Sequence, residues 1–203
     1  MRTRTRIEHR GALDPHDYLT EEQTKTLREY VRAQALGRKS RRAVTDYLIV
    51  ETLILSGLRA SELCALRIGD LPCAHGKQAL FVANGKGRIS RAVDIRKWLC
   101  DRITEYVSEF RPGAGPDEYL FIGAHGRRLD YHVLYDKVER IGRAVGIDLW
   151  PHKFRHTFAT RLHNAGKDLR FVQDQLGHRS PNTTARYAKT NDAERRRQIE
   201  AVE

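Results

Sequence analysis

The sequence predicts an α+β chain, mainly α-helical with one small antiparallel β-sheet. Apolar residues recur at helical spacing over most of its 203 residues. That period breaks between Gln78 and Ile95, where two β-rich stretches flank Asn84-Gly85-Lys86-Gly87, residues that tolerate the positive φ of a hairpin turn. The length suits one domain with a substantial core, and neither an internal repeat nor a low-complexity segment interrupts it.

The opening MRTRTRIEHRGALDP alternates arginine with polar residues and closes on Pro15, so residues 1–17 read as a flexible basic arm or linker before a domain at 18–203. Thr20 with Gln23 forms a capping-box signal, and Leu27, Val31 and Leu36 continue an amphipathic helix ending near Gly37. The run RRAVTDYLIVETLILS, Arg41 to Ser56, is apolar on most sides after its first turn and predicts a helix buried in mid-domain, with Gly57 as C-cap. SELCALR predicts a short helix led by Ser61. Beyond the hairpin, Lys97 to Phe110 reads as a helix stopped by Pro112 and Gly113, and Tyr131 to Val145 as another stopped by Gly146. Further helices are predicted at Lys153–Asn164, Leu169–Leu176 and Pro181–Ala188, the last with Ser180 as N-cap and Pro181 at its first position. The tail NDAERRRQIEAVE closes the chain.

Lys and Arg number 37 against 26 Asp and Glu, a formal net charge of +11. Such a chain attracts polyanions, and nucleic acid is the first candidate partner. No apolar run approaches the roughly 20 residues of a spanning helix, and no signal peptide opens the chain, so a soluble cytoplasmic protein without a membrane partner is expected. Cys64, Cys73 and Cys100 form neither an even set nor a CxxC pair, and the expectation is that all three are reduced bystanders.

Four separated segments place a cation or proton carrier beside a turn or helix start: Arg59, Lys86, PHKFRH at 151–156, and LGH at 176–178; Tyr187 follows. Cleaving a phosphodiester without a metal requires this inventory: fixed cations for the phosphorane, proton carriers, and a nucleophile that conserves the bond energy. Metal-assisted hydrolysis would need a carboxylate cluster or a complete zinc ligand set. His152 and His156 stand four apart as in HExxH sites, but Lys153 occupies the place of the glutamate base, so neither metal nor cofactor is expected.

SGLRASEL at 56–63, GKGRISR at 85–91, HKFRHTFATRL at 152–162, LGH at 176–178 and TARY at 184–187 resemble, in order, the motif set of the tyrosine recombinases, the phage-integrase family. The resemblance implies the catalytic-domain fold of that family, and a site-specific recombinase that cuts and rejoins duplex DNA by transesterification through a 3′-phosphotyrosyl intermediate. Integration or excision of a mobile element is the implied use. Arg59 and Arg155 match the arginines that grip the scissile phosphate, and Lys86 the hairpin lysine that protonates the departing 5′ oxygen, with Lys77 as fallback. His152 matches the histidine that takes the tyrosine proton, His178 the one that hydrogen-bonds the phosphate, and Tyr187 the nucleophile. Glu62 matches the acidic position that orients Arg59. Other histidines, His156 among them, match no family position and read as structural, and Thr157 reads equally as packing or as a DNA contact.

Only 58 residues precede Arg59, so the N-terminal DNA-binding domain of most members is expected to be missing or removed. The family works as a homotetramer on synapsed DNA, and Ile199 and Val202 are the tail's apolar residues available for docking on a neighbour. Two other readings stay open: a catalytically silent DNA-binding regulator on the same scaffold, and type IB topoisomerase activity.

Overall fold

The computed structural model describes residues 15–38, 40–71, 77–84 and 88–177. Their elements are α1 (Glu21–Arg38), α2 (Arg41–Ser56), α3 (Ala60–Ala65), β1 (Ala79–Asn84), β2 (Arg88–Asp94), α4 (Lys97–Phe110), α5 (Tyr131–Ala144), α6 (Pro151–Asn164) and α7 (Leu169–Leu176). The α+β reading, helical with one antiparallel pair, describes this architecture.

Helix α2 is the centre of the packing, touching α1, α3, α4 and α6. Its Leu48, Ile49, Leu53 and Ile54 are almost fully buried in a core shared with Leu27 and Val31 of α1, Ile103 and Tyr106 of α4, and Phe154 of α6. Polar groups on so buried a helix need partners. Asp46 receives Lys137 Nζ at 2.7 Å and Arg140 Nη2 at 2.6 Å from α5, and Glu51 receives Arg28 Nε at 2.9 and 3.0 Å from α1. A second apolar cluster, Ala159, Val172 and Leu176 with Phe158 and Leu162, seals α7 onto α6.

The local signals act as anticipated where they are self-contained. Thr20 and Gln23 exchange side-chain to backbone hydrogen bonds of 3.1 Å. Ser40, which the sequence reading did not single out, caps α2, its Oγ accepting from Ala43 N at 3.3 Å. Gly57 closes α2 at φ 60°. β1 pairs with β2 antiparallel from Ala79↔Asp94 to Asn84↔Arg88, irregular between Val82 and Asn84, with Leu80, Val82 and Val93 facing the core. Residues 85–87, which include Lys86, lie outside the described residues, as do the predicted helix 181–188, the tail, and most of the basic arm. The arm's last residues, Pro15–Asp17, form a 3-10 turn packed on α6.

Three expectations are corrected. Helix α3 is led by Arg59 rather than Ser61, because Glu62 reaches back to accept the Arg59 N–H at 2.8 Å. Helix α6 starts at Pro151, two residues early, since proline at a first helical position has a preset φ and lacks an N–H that would be unpaired anyway. Cys64 is a free thiol, pushed up to about 11 by burial, whereas Cys100 is disulfide-bonded rather than reduced. No helix of the described residues is long and apolar enough to cross a membrane.

Gly57 is where α2, α6 and α7 meet most tightly. A Cβ there would stand 2.4 Å from Phe158 Cδ1 and 3.0 Å from Leu176 Cδ2, whereas one at Gly146, also at positive φ, would meet nothing within 4 Å. Gly146→Ala should cost about 1–2 kcal/mol, from backbone strain alone, and Gly57→Ala at least about 2 kcal/mol more. Urea denaturation of the two variants measures the difference; equal losses would show that Phe158 yields freely.

Candidate active site

The candidate site forms where α7 ends. The last carbonyls of a helix lack intrahelical partners and carry its negative dipole end. Here three consecutive carbonyls are each taken by a different arginine. Gln175 O accepts Arg91 Nε at 3.2 Å, Leu176 O accepts Arg155 Nη2 at 2.7 Å, and Gly177 O accepts Arg59 Nη2 at 3.4 Å. Gly177 turns the chain at φ 64°, and a Cβ on it would lie 2.8 Å from Arg91 Nη1. Glycine is therefore required twice over, by the left-handed backbone and by the guanidinium lying against it.

Arg155 is 1% exposed, large and charged. Its second anchor is Gly57 O, accepting Nη1 at 2.8 Å, so one guanidinium spans the left-handed C-caps of α2 and α7. Carbonyls at two helix ends offset the cost of burying that charge. Arg59, at the N-cap of α3, has a side chain 42% exposed.

Glu62, whose side chain is 8% exposed, holds the cluster together. Its Oε1 accepts Arg59 Nη1 at 2.8 Å and Arg91 Nη1 at 2.9 Å, while Oε2 accepts Arg91 Nη2 at 3.0 Å and the Arg59 N–H at 2.8 Å. Burial pushes its carboxyl upward, but the hydrogen bonds from Arg91 and the Arg59 backbone, with both guanidinium charges, outweigh burial and hold it below the usual carboxylate range. Two guanidinium groups thus share one carboxylate, while the third, Arg155, lies on the carbonyls of Gly57 and Leu176. The arrangement keeps an excess of positive charge that an anion such as a phosphodiester would neutralise.

The structure brings Arg59, Glu62 and Arg155 together directly. His152 sits one turn before Arg155 on α6, exposed, with its ring edge-to-face against His156 at 4.4 Å between centroids. His156, read from sequence as a structural histidine, is therefore a neighbour of the candidate proton carrier. Lys153 is buried, donates to Asp148 O at 2.9 Å and lies 4.7 Å from the Trp150 ring; burial lowers its pKa. Thr157 is a packing residue: its Oγ1 accepts Leu19 N at 2.8 Å and donates to Lys153 O at 2.8 Å. Lys77 precedes β1 at the end of the ladder opposite the turn, so it does not occupy a hairpin tip. Lys86, His178 and Tyr187 lie outside the described residues. Among the described residues no group of three or more His, Cys, Asp or Glu is placed to hold a metal ion.

Arg91 is the residue that sequence reasoning missed. It closes the GKGRISR motif, yet in a chain with 37 basic residues nothing local distinguishes it. The signal available was its place on the strand following the hairpin turn, within reach of whatever the hairpin covers.

Because its carboxyl is held low, the stabilisation contributed by Glu62 is present above the unfolded value near 4.5 and is lost as pH falls through the folded one. Wild-type stability should therefore fall more steeply than that of Glu62→Gln between about pH 5 and pH 3. Urea midpoints across that range test this, and parallel profiles would refute the charge coupling.

Residues 17–194 match the sequence model described as the phage integrase family. Over 148 residues the chain is 39% identical to the tyrosine recombinase XerA of Thermococcus kodakarensis, covering 71% of this chain and 50% of that protein. The crystal structure of a XerA recombinase superposes with a TM-score of 0.76 at 30% identity, over 90% of this chain and 64% of that one. A XerH site-specific recombinase, bound to its difH substrate in a pre-cleavage complex, gives 0.74 at 26% identity over 94% and 53%. The chain spans about half the length of the curated relatives it matches. With the family's sequence model matching from residue 17 to 194, the chain belongs to the phage integrase family.

Proposed function

We propose that the chain cuts and rejoins duplex DNA as a site-specific recombinase, through a 3′-phosphotyrosyl link on Tyr187. The observation that carries this reading is the convergence of Arg59, Arg91 and Arg155 on one helix end, where Glu62 pairs with Arg59 and Arg91. Such a cluster suits a transition state in which phosphate charge grows, because preorganised donors in a partly dry site need no rearrangement as it forms.

In the proposed reaction Arg59 approaches the scissile phosphate from the exposed side and Arg155 from beneath, with His178 as a further donor to the non-bridging oxygens. The Tyr187 oxygen attacks phosphorus as its proton passes to His152. The bond from phosphorus to the 5′ oxygen breaks, and Lys86 gives its proton to that oxygen. Rejoining reverses these steps with another 5′ hydroxyl, so the bond energy stays in the phosphotyrosyl link and no ATP is consumed. Glu62 orients Arg59. Residues 18–203 form the catalytic domain in this reading, which acts on duplex DNA as four copies at synapsis; the XerH relative in complex with its DNA substrate supports the choice of partner.

Covalent capture tests the reading. With a chelator present, the wild-type chain should form a denaturant-resistant adduct on a nicked duplex selected for binding from a randomised pool, and Tyr187→Phe should form none. Binding with no adduct would replace this proposal by the silent-regulator reading. Arg155→Lys should lower the adduct rate on the order of 10²–10³-fold, since one ammonium cannot span Gly57 O and Leu176 O together. Near-normal cleavage by that variant would remove Arg155 from the site.

A further inference from the structure

We propose that Arg91 is a positioning residue that sets how much of Arg59 is offered to the phosphate. The inference rests on the strand-transfer reading above. Arg91 is placed on β2 with its side chain only 12% exposed, and each of its nitrogens has a partner: Nη1 and Nη2 hold the two oxygens of Glu62, and Nε holds Gln175 O. A guanidinium so fully used is placed to act on Glu62 rather than to touch DNA.

Glu62 sits between two cations. Arg91 takes both of its oxygens, leaving Arg59 a single side-chain contact, Nη1 to Oε1 at 2.8 Å. A lone carboxylate and a lone guanidinium prefer two parallel hydrogen bonds. Without Arg91, Glu62 would turn its full charge and both oxygens to Arg59, drawing that guanidinium down and neutralising it. Arg91 prevents this by neutralising Glu62 first, so Arg59 keeps both its charge and an open edge.

The strand carrying Arg91 is itself fastened to α7. Asp94 N donates to Gln175 Oε1 at 3.2 Å, and Gln175 Nε2 donates to Asp94 Oδ2 at 3.2 Å. The flat face of Arg91 rests on Gly177, where a Cβ would stand 2.8–2.9 Å from its Nη1, Cδ and Cζ. Strand β2, the start of α3 and the end of α7 are thereby locked in one register through this side chain.

The test compares two scissile centres in the same nicked duplex: an ordinary phosphodiester and a methylphosphonate, which carries no negative charge and so makes far less demand on cations. Arg91→Gln removes the charge; Arg91→Lys keeps the charge without the fork. If Arg91 governs the availability of Arg59, Arg91→Gln lowers the adduct rate on phosphodiester roughly 10–100-fold while cleaving methylphosphonate close to the wild-type rate, and Arg91→Lys recovers part of the loss. Equal losses on both centres, or none on either, overturn the proposal, because a purely structural role would not distinguish them. Should Arg91→Gln fail to fold, Arg91→Lys carries the same comparison, with a smaller loss confined to the phosphodiester. If the wild-type chain forms no adduct on either centre, the strand-transfer reading fails, and this inference with it.

Discussion

Three guanidinium groups within reach of three consecutive carbonyls, those of Gln175, Leu176 and Gly177, would repel one another in any site without negative potential nearby. Two unit charges ~6 Å apart repel by about 3 kcal/mol at an effective dielectric of about 20. The end of α7 supplies roughly half a negative charge, and Glu62 a full one. Among the described residues these two offset part of the positive charge, and a bound phosphodiester would offset more of it.

Much of the fold reads as the means of building that helix end. Helix α7 is only eight residues long and too short to hold its shape alone, so it is sealed to α6 by Val172 and Leu176 against Ala159 and is tied to β2 through Gln175 and Asp94. Left-handed caps at Gly57 and Gly177 turn the C-termini of α2 and α7 onto the same buried arginine. Asp46 and Glu51 make lateral ion pairs with α5 and α1, which orient α2 so that its end arrives there. Most other surface ion pairs, such as Lys97 with Asp101, are exposed and contribute little.

The elements legible in the sequence were those whose signals are local. Thr20 with Gln23 and Gly57 each act within one turn, and the period change at Gln78 needs no distant partner. Where a boundary was misplaced, a longer-range contact had intervened. Ser61 would serve as an ordinary N-cap, but Glu62 is held by Arg91 on β2 and by Arg59, and in that position it caps α3 from Arg59. The candidate site was legible as an inventory, since Arg59, Glu62, His152 and Arg155 fall in motifs of recognisable spacing. Its mechanics were not, because Arg91 and His156 take their meaning from what they touch.

By itself, then, the sequence determined most of the helices among the described residues, the antiparallel strand pair, the family and the chemical groups available, all of which follow from residues close together along the chain. Tertiary structure alone decided which of the 37 basic residues share one carboxylate and one helix end. The physical reason is the separation of the partners: 29 residues between Arg91 and Glu62, 84 between Arg91 and Gln175, 98 between Arg155 and Gly57, and 118 between Arg59 and Gly177. No local propensity reaches that far, and only the packed core brings those groups within hydrogen-bonding distance.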